Sequence, residues 1–413
     1  MKKEREAIKR RDFLKVSTTA AALGLTVRLS GRTRETEIVD SIEEAAARVG
    51  RLPRRKLGYS GREVSIIIGA GDLAPAPTEA AILCGMNYWH KANRWAGRGT
   101  PPEILKNRDA HYCQVNVDRI EGNHETGRID EESHYQFVKK SLQETGLHYY
   151  DDMQFHYGYH NRAEIRENRG FVRAFERLKK EGLVKHLCIA QHGYAGNPRV
   201  PQGEAAPEIL EALLEDGLYE HAQFIYSYNA DPAHDEFMLR AREKNFGTIA
   251  MKTARGLGRM TEDQAFMASL PAGTSPHQAL VRWLTTATRL DAVVMRVRNL
   301  IEFSDSYSGA GRPLREIDAR VLALVSERAD RTACSLCTSC QPHCPQGIPI
   351  SEILRFERYA LDDHDWNRAR RLYSALDRRA DSCTSCGSCR SYCPQSLPIP
   401  KKLAATHAML KIS

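Results

Sequence analysis

Eight cysteines stand in two runs of identical spacing near the carboxyl end. Cys334-x2-Cys337-x2-Cys340-x3-Cys344-Pro345 is followed, after 38 residues, by Cys383-x2-Cys386-x2-Cys389-x3-Cys393-Pro394. So close a triplet lets three thiolates wrap three irons of one cubane 4Fe–4S cluster, a one-electron carrier. The x3 step carries the fourth cysteine away, and proline helps fix that turn. Zinc competes for cysteine quartets, but a third cysteine at x2 and the Cys-Pro tail suit two zinc sites poorly. Disulfides compete as well, yet cysteines this near in sequence are badly placed to pair with one another.

Both runs resemble those of bacterial ferredoxins. In two-cluster ferredoxins the fourth cysteine of each run serves the other cluster. The resemblance therefore implies one set of Cys334, Cys337, Cys340 and Cys393, and a second of Cys383, Cys386, Cys389 and Cys344. The flanks repeat too, as Cys-Pro-Gln-Gly-Ile-Pro-Ile and Cys-Pro-Gln-Ser-Leu-Pro-Ile. The spacer Ser351 to Asp381 has a helical pattern with Leu354, Phe356, Tyr359, Ala360, Trp366 and Leu372. The module thus looks like the helix-rich ferredoxins attached to respiratory enzymes, with a redox protein as its partner.

Upstream, from Arg54 to Asn299, short β-rich runs alternate with amphipathic helical stretches. Strands are expected at Val64–Ile68, His111–Val117, Tyr149–His156, His186–Gln191, Ala222–Tyr228, Thr248–Lys252 and Ala292–Val297. On the helix predicted from Phe171 to Glu181, Phe171, Ala174, Phe175 and Leu178 share a face, and Gly182 supplies the stop. Pro207–Glu215 and Pro276–Thr285 begin with proline, where its missing N–H costs nothing. Such alternation demands a parallel sheet with helical crossovers. About eight units over about 250 residues fit a (β/α)8 barrel. No G-x-G-x-x-G follows a strand, which argues against a doubly wound dinucleotide fold. The expected domains are 1–40, a signal and linker; 50–312, the barrel; and 313–413, the mainly helical iron–sulfur domain.

The barrel segment resembles the aldo/keto reductases. The likeness runs through Arg54-Arg55-Lys56-Leu57-Gly58-Tyr59-Ser60-Gly61-Arg62-Glu63-Val64-Ser65, then Gly85-Met86-Asn87-Tyr88-Trp89. It continues through Ser141-Leu142, Gly146-Leu147-His148-Tyr149-Tyr150-Asp151 and Gln154-Phe155-His156. Gln223 with Tyr226 to Asn229, and Ile249-Ala250-Met251-Lys252, keep the family's order. The resemblance covers roughly residues 54 to 310. It implies carbonyl reduction with NADPH at the carboxyl rim, by a Tyr acid helped by Lys, Asp and His.

The chain departs from that pattern. The Asp position reads His90, the Tyr position Trp95, and the Lys position falls near Asn116, beside Asp118 and Arg119. Only His156 matches. The Ser-Asn pair for the nicotinamide amide reads Ala190-Gln191. Gln223, Lys252, Arg296 and Arg298 remain as candidate nicotinamide contacts. Either the proton relay is lost, leaving His156 and His90 to handle protons, or the alignment slips and Tyr112 or Lys91 supplies the missing groups. His90, His156 and His192 at one rim could also bind a metal such as zinc; the plainer reading leaves them unrelated. Tyr157, Tyr159 and His160 read as pocket lining.

The first residues carry Lys9-Arg10-Arg11-Asp12-Phe13-Leu14-Lys15 and a weakly apolar run, Val16 to Leu29. This resembles a twin-arginine signal, which exports folded proteins through the twin-arginine translocase. Its A-x-A cleavage site is missing, so an uncleaved signal would leave a membrane anchor. Iron–sulfur clusters are built in the cytoplasm and need a folded holder, and outside it NADPH is scarce. The chain as a whole is 42% hydrophobic and 27% charged, an ordinary globular composition. The charge is +8 from 60 basic and 52 acidic side chains, with about half the excess in the first eleven residues. Without a clustered basic face, no nucleic-acid partner is expected. No stretch reaches the roughly 20 apolar residues of a membrane span.

The expectation is an exported iron–sulfur oxidoreductase acting on an unidentified small molecule. The alternatives are an NADPH-dependent reductase with an altered relay and a non-catalytic docking subunit of a redox complex. Arg368, Arg370 and Arg371, with Arg378 and Arg379, read as a solvated basic face or a dock for an acidic partner.

Overall fold

A computed structural model describes residues 41–411, apart from positions 196, 198, 199, 229, 231, 255 and 288. The expected twin-arginine pair and the apolar run after it lie outside the described residues, as does Asn229.

The chain opens with the helix Ile42–Val49, whose N-terminus is capped by the Ser41 side chain. An antiparallel hairpin follows, β1 (Arg54–Leu57) and β2 (Arg62–Ser65), in the register Arg54↔Ser65. Eight parallel strands then close into a barrel: β3 (Ile67–Ala70), β4 (Tyr88–His90), β5 (Tyr112–Val117), β6 (Tyr150–Phe155), β7 (Val184–Gln191), β8 (His221–Ile225), β9 (Gly247–Met251) and β10 (Ala292–Val294). Strand β10 pairs with both β9 and β3, which completes the circle.

The expected strand Val64–Ile68 divides. Its first half finishes the hairpin, and Ile66 is the hinge before β3. The hairpin plugs the amino end of the barrel. Leu57, Val64, Ile68, Tyr88, Ile249 and Ala292 form a small separate core there. Arg62 reaches in from the hairpin to the fully buried Asp152 of β6, with both guanidinium nitrogens bonded at 2.9 and 2.7 Å. Bidentate pairing is what permits a charge at that depth.

The helices around the barrel follow the sequence pattern. Gly170–Lys180 buries Phe171, Ala174, Phe175 and Leu178, and Gly182 behind it has φ +73°. Pro276–Thr286 starts on proline, with Ser275 accepting a bond from the Gln278 amide. Glu316–Thr332, within the segment expected to be the iron–sulfur domain, packs against the barrel. Its Val321, Leu322, Val325 and Ala329 join the barrel's core, and its Asp318 pairs with the buried Arg282 at 3.0 Å.

Beyond it, residues 334–411 build a second core. Ile348, Ile353, Leu354, Phe356, Tyr373, Leu397 and Leu403 pack together with the cysteines at its edge. The spacer expected to be helical is two helices, Ile350–Leu361 and Trp366–Ser374. The break between them includes His364 at φ 53°. A last helix, Ile399–Leu410, packs on both.

Candidate functional site

A cavity of about 330 Å³ lies where the barrel meets these C-terminal helices. Its floor is the carboxyl rim of the barrel, where such barrels place their chemistry. His90, Lys91, His156, Tyr157, His192, Gln223 and Lys252 come from strand ends, and Arg296 and Arg298 from the loop after β10. Its roof is Arg355, Arg358 and Tyr359 from Ile350–Leu361, with Asp362, Asp363 and Arg368 beyond.

The roof is fastened by specific contacts. Arg259 donates to Asp362 at 2.7 Å, and Glu357 accepts from Arg259 at 3.4 Å and Lys402 at 2.9 Å. Gly258 lies so close to the Asp362 backbone that a Cβ there would meet its carbonyl at 2.7 Å. Arg355 pairs with Glu352 and donates to His124 Nε2 at 3.1 Å. The His124 ring stacks on Tyr157 at 4.1 Å, so one roof arginine is tied to the rim through an imidazole and a phenol.

The candidate proton and nicotinamide residues His90, His156, Gln223, Lys252, Arg296 and Arg298 gather here. His156 Nδ1 lies 2.6 Å from Asp118 Oδ1. A neutral imidazole must donate Nδ1–H to that carboxylate, which leaves Nε2 as an acceptor. Burial pulls the His156 pKa down to about 4 although Asp118 opposes it, so the ring is neutral near pH 7. Burial would raise the Asp118 carboxyl, but the facing His156 outweighs this and holds it below its ordinary value.

His90 has the opposite tautomer. Gln114 Nε2 and Gln223 Nε2 approach its Nδ1 at 2.9 and 3.3 Å, and amide nitrogens can only donate. Nε2 therefore carries the proton. Burial, then Lys91, holds its pKa well below the ordinary range. Gln114 continues to Asn116 at 2.8 Å, and Asn116 to Gln154 at 2.8 Å. A chain of neutral amides thus lies under the cavity where the resemblance implied an ionised relay.

Trp95 is buried against Trp89, with ring centroids 5.9 Å apart, and has no acid to offer. Tyr112 opens β5 at the barrel's amino end, with Arg62 over its ring at 5.2 Å, so it cannot serve the rim. Lys91 does line the cavity, and burial lowers its pKa to about 8. His90, His156 and His192 share the cavity. The groups whose ligand atoms converge among the described residues are instead Asp152, Cys188 and His221, and His124, Glu125 and Glu352. Arg62 and Arg355 respectively neutralise those two. Tyr159 is core, bonded to Tyr219 at 2.7 Å, and His160 Nε2 donates to the His124 carbonyl.

Lys252 ends β9 in a left-handed conformation, with φ 55°. Its Nζ is buried without a hydrogen-bond partner, as are both ring nitrogens of His192. Arg298 is engaged by Glu302 at 2.6 Å. Arg368, read from sequence with a surface cluster, turns into the cavity over the Tyr359 ring at 4.1 Å, while Arg370 lies over Trp366. The roof residues escaped the sequence reading. The available signal was Arg355 and Arg358, three apart on a helix otherwise rich in buried apolar side chains.

The cysteine runs fold alike. Leu336 and Thr338 in the first, and Ser385 and Gly387 in the second, all have positive φ. So do Gly347 and Ser396 after the two Cys-Pro-Gln turns. Left-handed residues alternating with right-handed ones turn backbone N–H groups to one side as an anion-binding nest, and Leu336 N–H points at Cys334 Sγ at 3.3 Å. Non-glycine residues adopt such backbones only where the surroundings impose them. His343 and Tyr392, the residues before each fourth cysteine, stack on each other. Burial raises the Cys340 thiol, and its thiol neighbours Cys334, Cys337 and Cys393 add to the effect. Burial likewise raises Cys389, followed by Cys344 and Cys383. The fourth cysteine of each run therefore lies with the triplet of the other. A second, smaller cavity is lined by Cys344, Cys383, Cys386 and Cys389 with Ile348, Ile350 and Leu403. Four thiols to a set, with an N–H directed at Cys334 in the first and an apolar wall beside the second, suit a four-iron cluster in each.

No family model matches the chain, and no curated protein matches it. Solved structures do. An aldo-keto reductase from Bacillus halodurans, in its holo form, is similar with a TM-score of 0.50 and 17% identity, over 67% of this chain and 96% of that one. A Pseudomonas aeruginosa protein described as an aldo-keto reductase has a TM-score of 0.47 and 16% identity, over 67% and 99%. At such identity the likeness concerns the fold: an eight-stranded parallel barrel like that of aldo-keto reductases, with extra helices at the carboxyl end.

Proposed function

We propose that the chain is an exported iron–sulfur oxidoreductase in which electrons pass between two 4Fe–4S clusters and a small molecule in the rim cavity. Cys334, Cys337, Cys340 and Cys393 would hold one cluster, and Cys383, Cys386, Cys389 and Cys344 the other. Each cluster, when bound, supplies one-electron transfer.

One observation carries the reading. The helix Ile350–Leu361 lines both cavities: Ile350 faces the thiols of the second set, and Arg355 and Tyr359 face the rim. At 1.5 Å per residue these side chains stand about 8–14 Å along the helix from Ile350. A redox centre and a substrate pocket are thus joined by one rigid element. In the pocket His156, oriented by Asp118, accepts a proton at Nε2, and the neutral His90 donates a hydrogen bond from its Nε2–H. Asp118 fixes the tautomer of His156, and the amides of Gln114 and Gln223 fix that of His90.

The paired arginines Arg10 and Arg11 support export of the folded, metal-loaded protein by the twin-arginine translocase, to the periplasm or an equivalent compartment. The exposed stack of His343 and Tyr392 lies between the two cysteine runs, on the side open to a redox partner protein.

A second reading, an NADPH-dependent reductase with an altered relay, is favoured by Gln223, Lys252, Arg296 and Arg298 lining one cavity. Against it, the roof closes that cavity to a volume at the small end for ligand sites.

Anaerobic reconstitution tests the proposal. About eight irons per chain and dithionite-reducible paramagnetic signals are expected. Stoichiometric zinc, or iron that dithionite does not reduce, would contradict it.

A further inference from the structure

The cations of the rim cavity are not all balanced. Arg298 has Glu302 at 2.6 Å, Arg358 has Asp362 at 3.6 Å, and Arg355 has Glu352. Lys252 has no hydrogen-bond partner at Nζ, and the strongest charges acting on it are Arg355, Arg358, Arg368 and Lys91, all positive. Arg368 spends its guanidinium on aromatic groups, the Tyr157 phenol and the Tyr359 ring. Its own-helix carboxylate, Asp365, is used to cap the backbone amide of Arg368 at 3.3 Å.

A buried amine among cations is costly unless something negative sits beside it. His192 repeats the signal. It is 4% exposed, lines the same cavity, and neither ring nitrogen has a partner. Orphaned donors facing one cavity from two strand ends, under a guanidinium whose nearby carboxylate Asp363 is shared with Arg296 and Arg358, describe a receptor that wants an anion's oxygens.

We propose that the rim cavity binds a small organic anion, its carboxylate seated among Lys252, Arg368 and His192 and its reacting carbon turned toward His90 and His156. This rests on the cavity being the substrate site. The volume of about 330 Å³ suits an acid of a few carbons. A phosphate group would meet the same donors, so the test separates the two. Arg368 belongs to the C-terminal helices, so this half of the binding group exists only when they are docked on the barrel.

The experiment is calorimetric titration of the anaerobic holoprotein with acetate, lactate, malonate, succinate and inorganic phosphate, and with lactamide and NADPH as contrasts. Saturable binding of at least one carboxylate, none of lactamide, and weakening of about tenfold or more in Lys252→Met and Arg368→Gln are expected. Arg368→Lys should retain most of the affinity, and variants count only with unchanged iron content and melting temperature. Binding of phosphate alone would overturn the carboxylate and assign a phosphate ester. Binding of NADPH alone, of no anion, or of carboxylates with undiminished strength in both variants would overturn the proposal. Dithionite reduction of the same samples separates this from the redox reading: clusters that reduce without anion binding leave the oxidoreductase standing, and the reverse leaves the receptor.

Discussion

Arg259 Nε of the barrel lies 2.7 Å from Asp362 Oδ1, at the end of the helix that roofs the cavity. The two side chains are 20% and 5% exposed, so the pair is shielded from solvent. It holds together the parts that would carry protons and the parts that would carry electrons in the proposed function.

Arg259→Ala should loosen the roof without unfolding the barrel. A lost charge-assisted bond at a shielded site costs about 2 kcal/mol. The Trp366–Ser374 helix should then be cut by protease, or exchange amide hydrogens, sooner than the barrel strands. An unchanged order of cleavage would count against this contact as the fastening.

Gly258→Ala tests the same seam by crowding it. The new Cβ would meet backbone, not a movable side chain, at 2.7 Å. Overpacking of this kind costs about 1–3 kcal/mol. A lower melting temperature is expected, and a neutral outcome would mean the roof sits farther from the rim.

Crossed ligation is testable cysteine by cysteine. Cys393→Ala should alter the same spectroscopic centre as Cys334→Ala, although Cys393 stands in the other run. Cys344→Ala should alter the centre touched by Cys383→Ala. Paramagnetic spectra of the four reduced variants decide it. Effects that group by run, not by crossed set, would refute the arrangement.

Buried histidines make the fold acid-sensitive. His134 lies between Phe155 and Phe171 with neither ring nitrogen bonded, and burial lowers its pKa to about 4. The unfolded chain titrates near the ordinary 6.5, so between about 4 and 6.5 it binds more protons than the fold. Stability is therefore full above pH 6.5 and declines as pH falls toward 4. His134→Leu should remove this share, gaining on the order of 1–2 kcal/mol relative to the parent between pH 7 and pH 5. Chemical denaturation at the two pH values measures it, and an equal parent–variant gap at both would contradict the account.

Much of this was legible in the sequence, for physical reasons. Parallel strands buried on both faces read as apolar runs, so β9 and β10 could be found. β4 could not: Tyr88–His90 is three residues long, with two aromatic rings and an imidazole. The cysteine spacing singled out the two runs because ligand chemistry constrains short distances along the chain, whereas the crossed sets proposed above came from the likeness to ferredoxins. The roof was hidden because it depends on Asp362 meeting Arg259, a contact across 103 positions. Arg368 misled for the same reason. On a helix wheel it resembles Arg370 and Arg371, and only docking distinguishes the side chain that turns inward.

The most direct test of the account is to add NADPH to the anaerobic, cluster-loaded protein while following heat and cluster absorption together. The account predicts no saturable binding in the micromolar range and no bleaching, with full bleaching when dithionite follows. Micromolar binding of NADPH, with or without bleaching, would contradict it and make the barrel a nicotinamide enzyme.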